Sequence, residues 1–201
     1  MKTTKLMTLA LCALACTTAT TFAKEKGDDL IDSATPAAQI ADPVNPKKGM
    51  IFKGYNIRWN GNLFELASLL EKSPTVKTTV VTGEKFSFGN FTDVEISQGV
   101  WEGFVKCNRS ANCTILMQQA SYNGCGYALF VNGKKFISGH GQISAMIDMK
   151  AGFNHIKLVA QNADRHPVSI SIKATGSTRE PKFVTPKDMF YDEKPDEGDV
   201  F

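Results

Sequence analysis

The chain has 201 residues, of which 42% are hydrophobic and 21% charged, and a formal charge of +3. That length holds one or at most two domains, with enough apolar side chain to pack a core. The composition excludes a membrane bundle, a collagen, a coiled coil and a dense disulfide knot, and the near-neutral charge argues against a dedicated nucleic-acid binder, which needs a basic stripe to displace counterions from phosphates.

Lys2 and Lys5 open the chain, followed by an apolar run from Leu6 to Ala15 and by small residues ending Thr21-Phe22-Ala23. This is the pattern of a secretory signal peptide over residues 1–23, too short to span a bilayer as a stable helix. Cleavage after Ala23 is expected. The alternative is lipidation at Cys16, behind Ala13-Leu14-Ala15, which would anchor the mature chain to a membrane. Either route puts the protein in an oxidising space, secreted or in the periplasm or cell envelope. Residues 24–48 are charged and small, interrupted by Pro36, Pro43 and Pro46, and read as a flexible leader.

From Gly49 onward, short apolar runs alternate with turn residues, the mark of an antiparallel sandwich or barrel. In chain order the predicted strands are 50–59, 76–81, 85–91, 93–97, 100–106, 114–119, 127–132, 135–138, 142–149, 155–162 and 168–173. Several alternate with a period of two, as where Val168, Ile170 and Ile172 interleave with Ser169, Ser171 and Lys173. One face of such a strand is buried and the other wet. A single helix is predicted over 63–72, where Leu63, Leu66, Ala67 and Leu70 share one face, and Pro74 stops it. The fold class is therefore all-β, an antiparallel, jelly-roll-like β-sandwich over residues 49–186 with one short helix toward its N-terminal side. Residues 187–201 carry six acids against Lys187 and Lys194 and read as a solvated acidic tail.

Without the signal peptide the cysteines are Cys107, Cys113 and Cys125, an odd number. Cys107 and Cys113 flank the polar segment 108–112 between two predicted strands and are placed to staple a hairpin; pairing of either with Cys125 is the alternative. With no CxxC pair and no neighbouring histidine, the three make a poor metal site, and no metal or cofactor is expected.

Three pieces of sequence carry a resemblance. They are Val100-Trp-Glu-Gly-Phe104, then Tyr127-Ala-Leu-Phe-Val-Asn-Gly-Lys134, then Asp148-Met-Lys-Ala-Gly-Phe-Asn-His-Ile-Lys-Leu158. In that order and spacing they resemble the sandwich domain named after anthrax protective antigen, which occurs in bacterial glycosidases, yeast flocculins and other cell-surface proteins. Each motif also has a plain fold role: Asn132-Gly133 suits a type I′ hairpin turn, Gly152 a chain reversal, and Trp101 a core position. In the family's sugar-binding adhesins, two adjacent aspartates just before the Asn/Asp-Gly strand hold a calcium ion. The equivalent stretch here, Ser121-Tyr-Asn-Gly-Cys-Gly126, has no carboxylate, so the resemblance implies the fold without that metal site.

Sugar can still be bound by aromatic faces and amides, and Tyr122, Asn123, Tyr127, Gln118, the neighbouring Gln119 and His140 are the candidate ligand-binding residues. No catalytic residues are assigned: P-loop, dinucleotide-binding and HExxH patterns are absent, and neither Cys125 with His140 nor Glu95 with Glu102 makes a convincing constellation. The expected function is that of a non-catalytic binding module with a glycan or cell-surface protein as partner. The alternative is a structural or assembly component of a cell-surface complex that docks through its tails.

Overall fold

In the computed structural model the chain is described over residues 40–120, 125–163 and 166–193. The expected signal peptide, most of the expected leader, Tyr122, Asn123 and the last eight residues lie outside the described residues. An eight-stranded sheet faces a four-stranded one, every pairing antiparallel.

The large sheet is built on β4 (Gln98–Cys107) and β9 (Gly152–Gln161), paired along their whole length. Beyond β9 lie β6 (Gly126–Val131) and β7 (Lys134–Gly139). The other side of β4 is shared by β2 (Met50–Tyr55), extended by β3 (Lys77–Val81), and by the short pair β12 (Phe190–Asp192) and β1 (Pro46–Lys48). The small sheet has the order β11 (Lys182–Val184), β10 (Ser169–Ala174), β5 (Ala111–Gln118) and β8 (Gln142–Met149).

Period-two alternation places Met50, Phe52, Trp101, Tyr127, Leu129 and Leu158 of the large sheet against Ile115, Met117 and Ile170 of the small one, and this layer is the main core. The other face of the large sheet is covered at one end by α1 (Leu63–Leu70). There Phe64, Leu66, Ala67 and Leu70 pack on Tyr55, Val100, Ala128 and Val159 as a second, smaller core. The predicted apolar face thus forms as expected. The Asn62 side chain caps the helix by accepting from the Phe64 N–H at 2.7 Å.

Several expectations are revised by the topology. Strands β4 and β5 are not a hairpin: β4 belongs to the large sheet and β5 to the small one, and residues 108–110 carry the chain across between them. Alternation looks the same in a hairpin and in a chain that changes sheets at a corner, because both keep one apolar face inward. Cys107 and Cys113 therefore cannot staple a hairpin, and a bond between them would join one sheet to the other; none is formed in the structure. Both residues are thiols, Cys113 buried in the core and Cys107 packed against it from the opposite sheet. Burial is the main cause that pushes both thiols above their ordinary pKa.

The runs 85–91 and 93–97 do not form strands either; only a bridge from Phe86 to Val168 appears. Phe86 and Phe88 are instead used singly, as plugs driven into the core against Trp101. Conversely, β1 and β12 fall in segments read as leader and tail. Opposite charge helps to hold them: Lys47 lies 3.6 Å from Glu193, and the Lys48 ammonium sits 3.9 Å from the centre of the Phe190 ring. The sheet therefore extends beyond the expected 49–186 at both ends.

Candidate functional site

The two ends of the sandwich differ in character. At one end Asn132 and Gly133 form the predicted tight turn, with φ of 50° and 77°. The Asn132 side-chain oxygen accepts from the His155 N–H at 2.9 Å, while Asn154, fully buried, bonds the backbone of Lys150 through both its amide atoms. Two of the three motifs behind the family resemblance thus converge on one structural turn cluster, and Trp101, from the third, is buried in the core. They specify fold.

The opposite end carries the residues singled out for binding. Its hub is the Gly141 carbonyl, which accepts from the Gln119 N–H at 2.9 Å and from the Tyr127 hydroxyl at 3.3 Å. The same hydroxyl reaches the Met117 carbonyl at 3.4 Å. Burial pushes the Tyr127 phenol up to about 12, so it remains a donor across the physiological range. Tyr127 is fully buried and braces the loops from below; it presents nothing to a ligand. Gln119 is likewise interior, donating to the carbonyls of Gln161 at 3.0 Å and His166 at 2.9 Å. Gln118 and His140, by contrast, are exposed on either side of this hub, while Tyr122 and Asn123 fall outside the described residues. Of the described candidates, then, the structure brings Gln118, Gln119, Tyr127 and His140 to one end, two as surface and two as support.

Gln98 and Gln161, which the sequence reading passed over, complete the support. They sit opposite each other on β4 and β9, and their side-chain amides donate to the carbonyls of Ile57 and Trp59 at 3.0 and 3.1 Å. With Gln119 they tie the backbone at Ile57, Trp59, Gln161 and His166 together. An amide at the end of an otherwise apolar strand is the signal that could have found them. Replacing Tyr127 by Phe is expected to cost about 1 kcal/mol, the net value of one buried hydrogen bond. It should also speed amide exchange at Gln119, and unchanged exchange there would contradict the bracing role.

No group of three metal-ligating side chains occurs among the described residues. The stretch Ser121–Gly126 carries no carboxylate in sequence. His155 lies on the outer face of the large sheet, its Nε2 3.0 Å from a Glu102 carboxylate oxygen.

That hydrogen bond is the largest cause holding the Glu102 carboxyl below its ordinary pKa, helped by Lys157 and Lys53 and opposed by burial. A carboxyl whose pKa is lower folded than unfolded stabilises the fold above the ordinary carboxylate range and loses that contribution as pH falls through the lowered value. Glu102→Gln is therefore expected to cost about 1 kcal/mol at neutral pH, since the pair is partly solvated, and to flatten the acid limb of urea-measured stability below about pH 5. A variant whose acid limb is as steep as wild type would contradict this.

No family model and no curated protein sequence matches the chain. Solved structures do. The PA14 domain of the antifreeze protein MpAFP superposes with a TM-score of 0.52 at 11% identity, covering 79% of this chain and 98% of that one. An anti-sigma factor domain-containing protein also gives 0.52, at 17% identity, over 81% of this chain; the match spans only about half of that protein, 51%. The epithelial adhesin 6 A domain from Candida glabrata, solved in complex with Galb1-3GlcNAc, gives 0.51 at 9% identity, covering 75% of this chain and 89% of that one. The fold is thus the protective-antigen (PA14) type of β-sandwich. No helix among the described residues is long and apolar enough to cross a membrane.

Proposed function

We propose that the protein is a secreted or cell-envelope binding module, non-catalytic, that recognises carbohydrate or another surface ligand at the rim carrying Gln118 and His140, with Tyr122 and Asn123, which follow Gln118 closely in sequence, as further ligand contacts. The observation that carries this reading is the likeness of fold to a whole PA14 domain and to an adhesin domain solved with a bound glycan. The braced rim supports it, because a rigid scaffold under exposed polar side chains lowers the ordering cost of binding. Recognition there uses amide, imidazole and phenol groups and needs no metal. The test is a glycan array read with the mature protein and with Tyr122→Ala and Asn123→Ala. Binding by the wild type that falls in both folded variants supports the reading; no binding by folded wild type overturns it.

A second reading, an assembly component that docks through its tails, is favoured by one observation. The pairing of β1 with β12 brings the chain before residue 46 and after residue 192 to the same sheet edge. Capture of a defined surface partner that is lost on deleting residues 194–201 would select it, and capture unaffected by deleting either tail would remove it.

An oxidising compartment also bears on the cysteines. Cys107 and Cys113, drawn together by the short crossing 108–110, are expected to oxidise there to a disulfide that ties the two sheets. The loop model gives such a small ring roughly 2 kcal/mol. Intact mass of secreted protein should be lower by two hydrogens and the loss should vanish in Cys113→Ser; full thiol content in the secreted wild type would contradict the pairing.

A further inference from the structure

A second concave site lies away from the rim, on the outer face of the large sheet beside the C-terminal end of α1. It is a cleft of about 530 Å³, within the range of small-molecule sites. The register of the sheet explains its lining. Outward-facing Lys53 of β2 stands opposite Thr78 of β3, and outward-facing Glu102 of β4 stands opposite Lys157 of β9. Glu71, which caps α1, reaches over to pair with Lys157. Tyr55, two residues beyond Lys53, forms part of the wall.

Two features set this cleft apart from an ordinary surface ion-pair network. The first is Tyr55: its ring is packed away and the residue is only 3% exposed, while its hydroxyl, which hydrogen-bonds to no group among the described residues, is not closed off and belongs to the cleft wall. A hydroxyl held there by a buried ring offers a donor and an acceptor, already oriented, to whatever enters the cleft. Burial and the Glu102 and Glu71 carboxylates push its pKa upward, so it stays a neutral donor. The second is Lys53, which makes no ion pair among the described residues although it faces the same space.

Charge in the cleft is balanced, Lys53 and Lys157 against Glu71 and Glu102. A ligand with net charge would meet as much repulsion as attraction. A hydroxyl group fits both halves, accepting from the Lys53 ammonium or the Tyr55 hydroxyl while donating to a carboxylate oxygen of Glu102 or Glu71.

We propose that this cleft is a metal-free binding site for a neutral polyhydroxylated ligand the size of a mono- or disaccharide, held by Lys53, Tyr55, Glu71 and Glu102. It is independent of the rim. The test is a ¹H–¹⁵N titration of the mature chain with glucose, galactose and lactose, and with glucuronate and glucosamine as charged counterparts. At least one neutral sugar should shift the amides of 53–55, 71–78 and 102 saturably. Lys53→Met and Tyr55→Phe should each weaken that binding about tenfold, the scale of one charge-assisted or buried hydrogen bond, with melting temperature showing that both variants fold. Glucuronate and glucosamine should bind about tenfold more weakly than the neutral sugar. No saturable shift at these amides, or shifts confined to 118–126 and 140, would overturn the proposal, the latter while supporting the rim. Equal affinity for glucuronate, or undiminished binding by both folded variants, would also overturn it.

Discussion

Trp101→Ala is expected to remove about 3 to 5 kcal/mol of folding stability, much of what a domain of this size has. The indole is fully buried at the centre of the large sheet's inner face, with ring centroids 5.0, 6.0 and 6.2 Å from those of Phe52, Phe86 and Phe88. Phe86 and Phe88 lie outside any strand, so this packing is much of what holds residues 83–91 down. Truncation would therefore leave a cavity and free that segment together. Trp101→Phe should cost only about 1 to 2 kcal/mol, because it keeps a ring and removes an indole N–H that has no partner among the described residues. Thermal and urea melts followed by circular dichroism read both values. A loss below about 1 kcal/mol for Trp101→Ala would mean that the aromatic cluster is not the keystone it is argued to be.

Gly103→Val is the second large effect, expected to cost about 1 to 3 kcal/mol through overpacking. A Cβ at position 103 would stand 2.7 Å from the Phe190 carbonyl oxygen and 3.0 Å from the Met50 side chain. Met50 can rotate away, but a backbone carbonyl cannot, so β12 must leave β4. Since β1 pairs only with β12, it should detach as well. Hydrogen exchange is expected to accelerate at 46–48 and 190–192 while β5, β8 and β10 stay protected. Equal protection of β12 in wild type and variant would contradict this.

Much of the sandwich was legible because its signal is local. Val168 to Lys173 and His155 to Gln161 alternate cleanly, and on the helix face Leu66, Ala67 and Leu70 are buried and Leu63 partly so, as the spacing implies. What escaped was long-range. Nothing within β4 or β5 reveals that the three residues between them change sheets, and nothing local marks Pro46–Lys48 or Phe190–Asp192 as strands, since each is stabilised by a partner more than a hundred residues away. The rim was half legible. Gln118 and His140 are surface residues as expected, but Tyr127 is not: an aromatic at the head of an apolar strand looks the same from sequence whether its hydroxyl meets solvent or two backbone carbonyls. The cleft beside α1 was invisible because its residues come from five separated segments that meet only through sheet register.

The antiparallel pairing of Pro46 with Asp192 has a mechanical consequence. The chain enters β1 beside the point where it leaves β12, and the clasp there consists of three residue pairs reinforced by bonds between Asn45 and the Asp192 side chain and Glu193. Tension applied through both ends would load these bonds in sequence, as in a zipper, and not all at once in shear. The clasp would open at low force and lengthen the tether, leaving the ten-residue β4–β9 pair and the rim it supports unstrained.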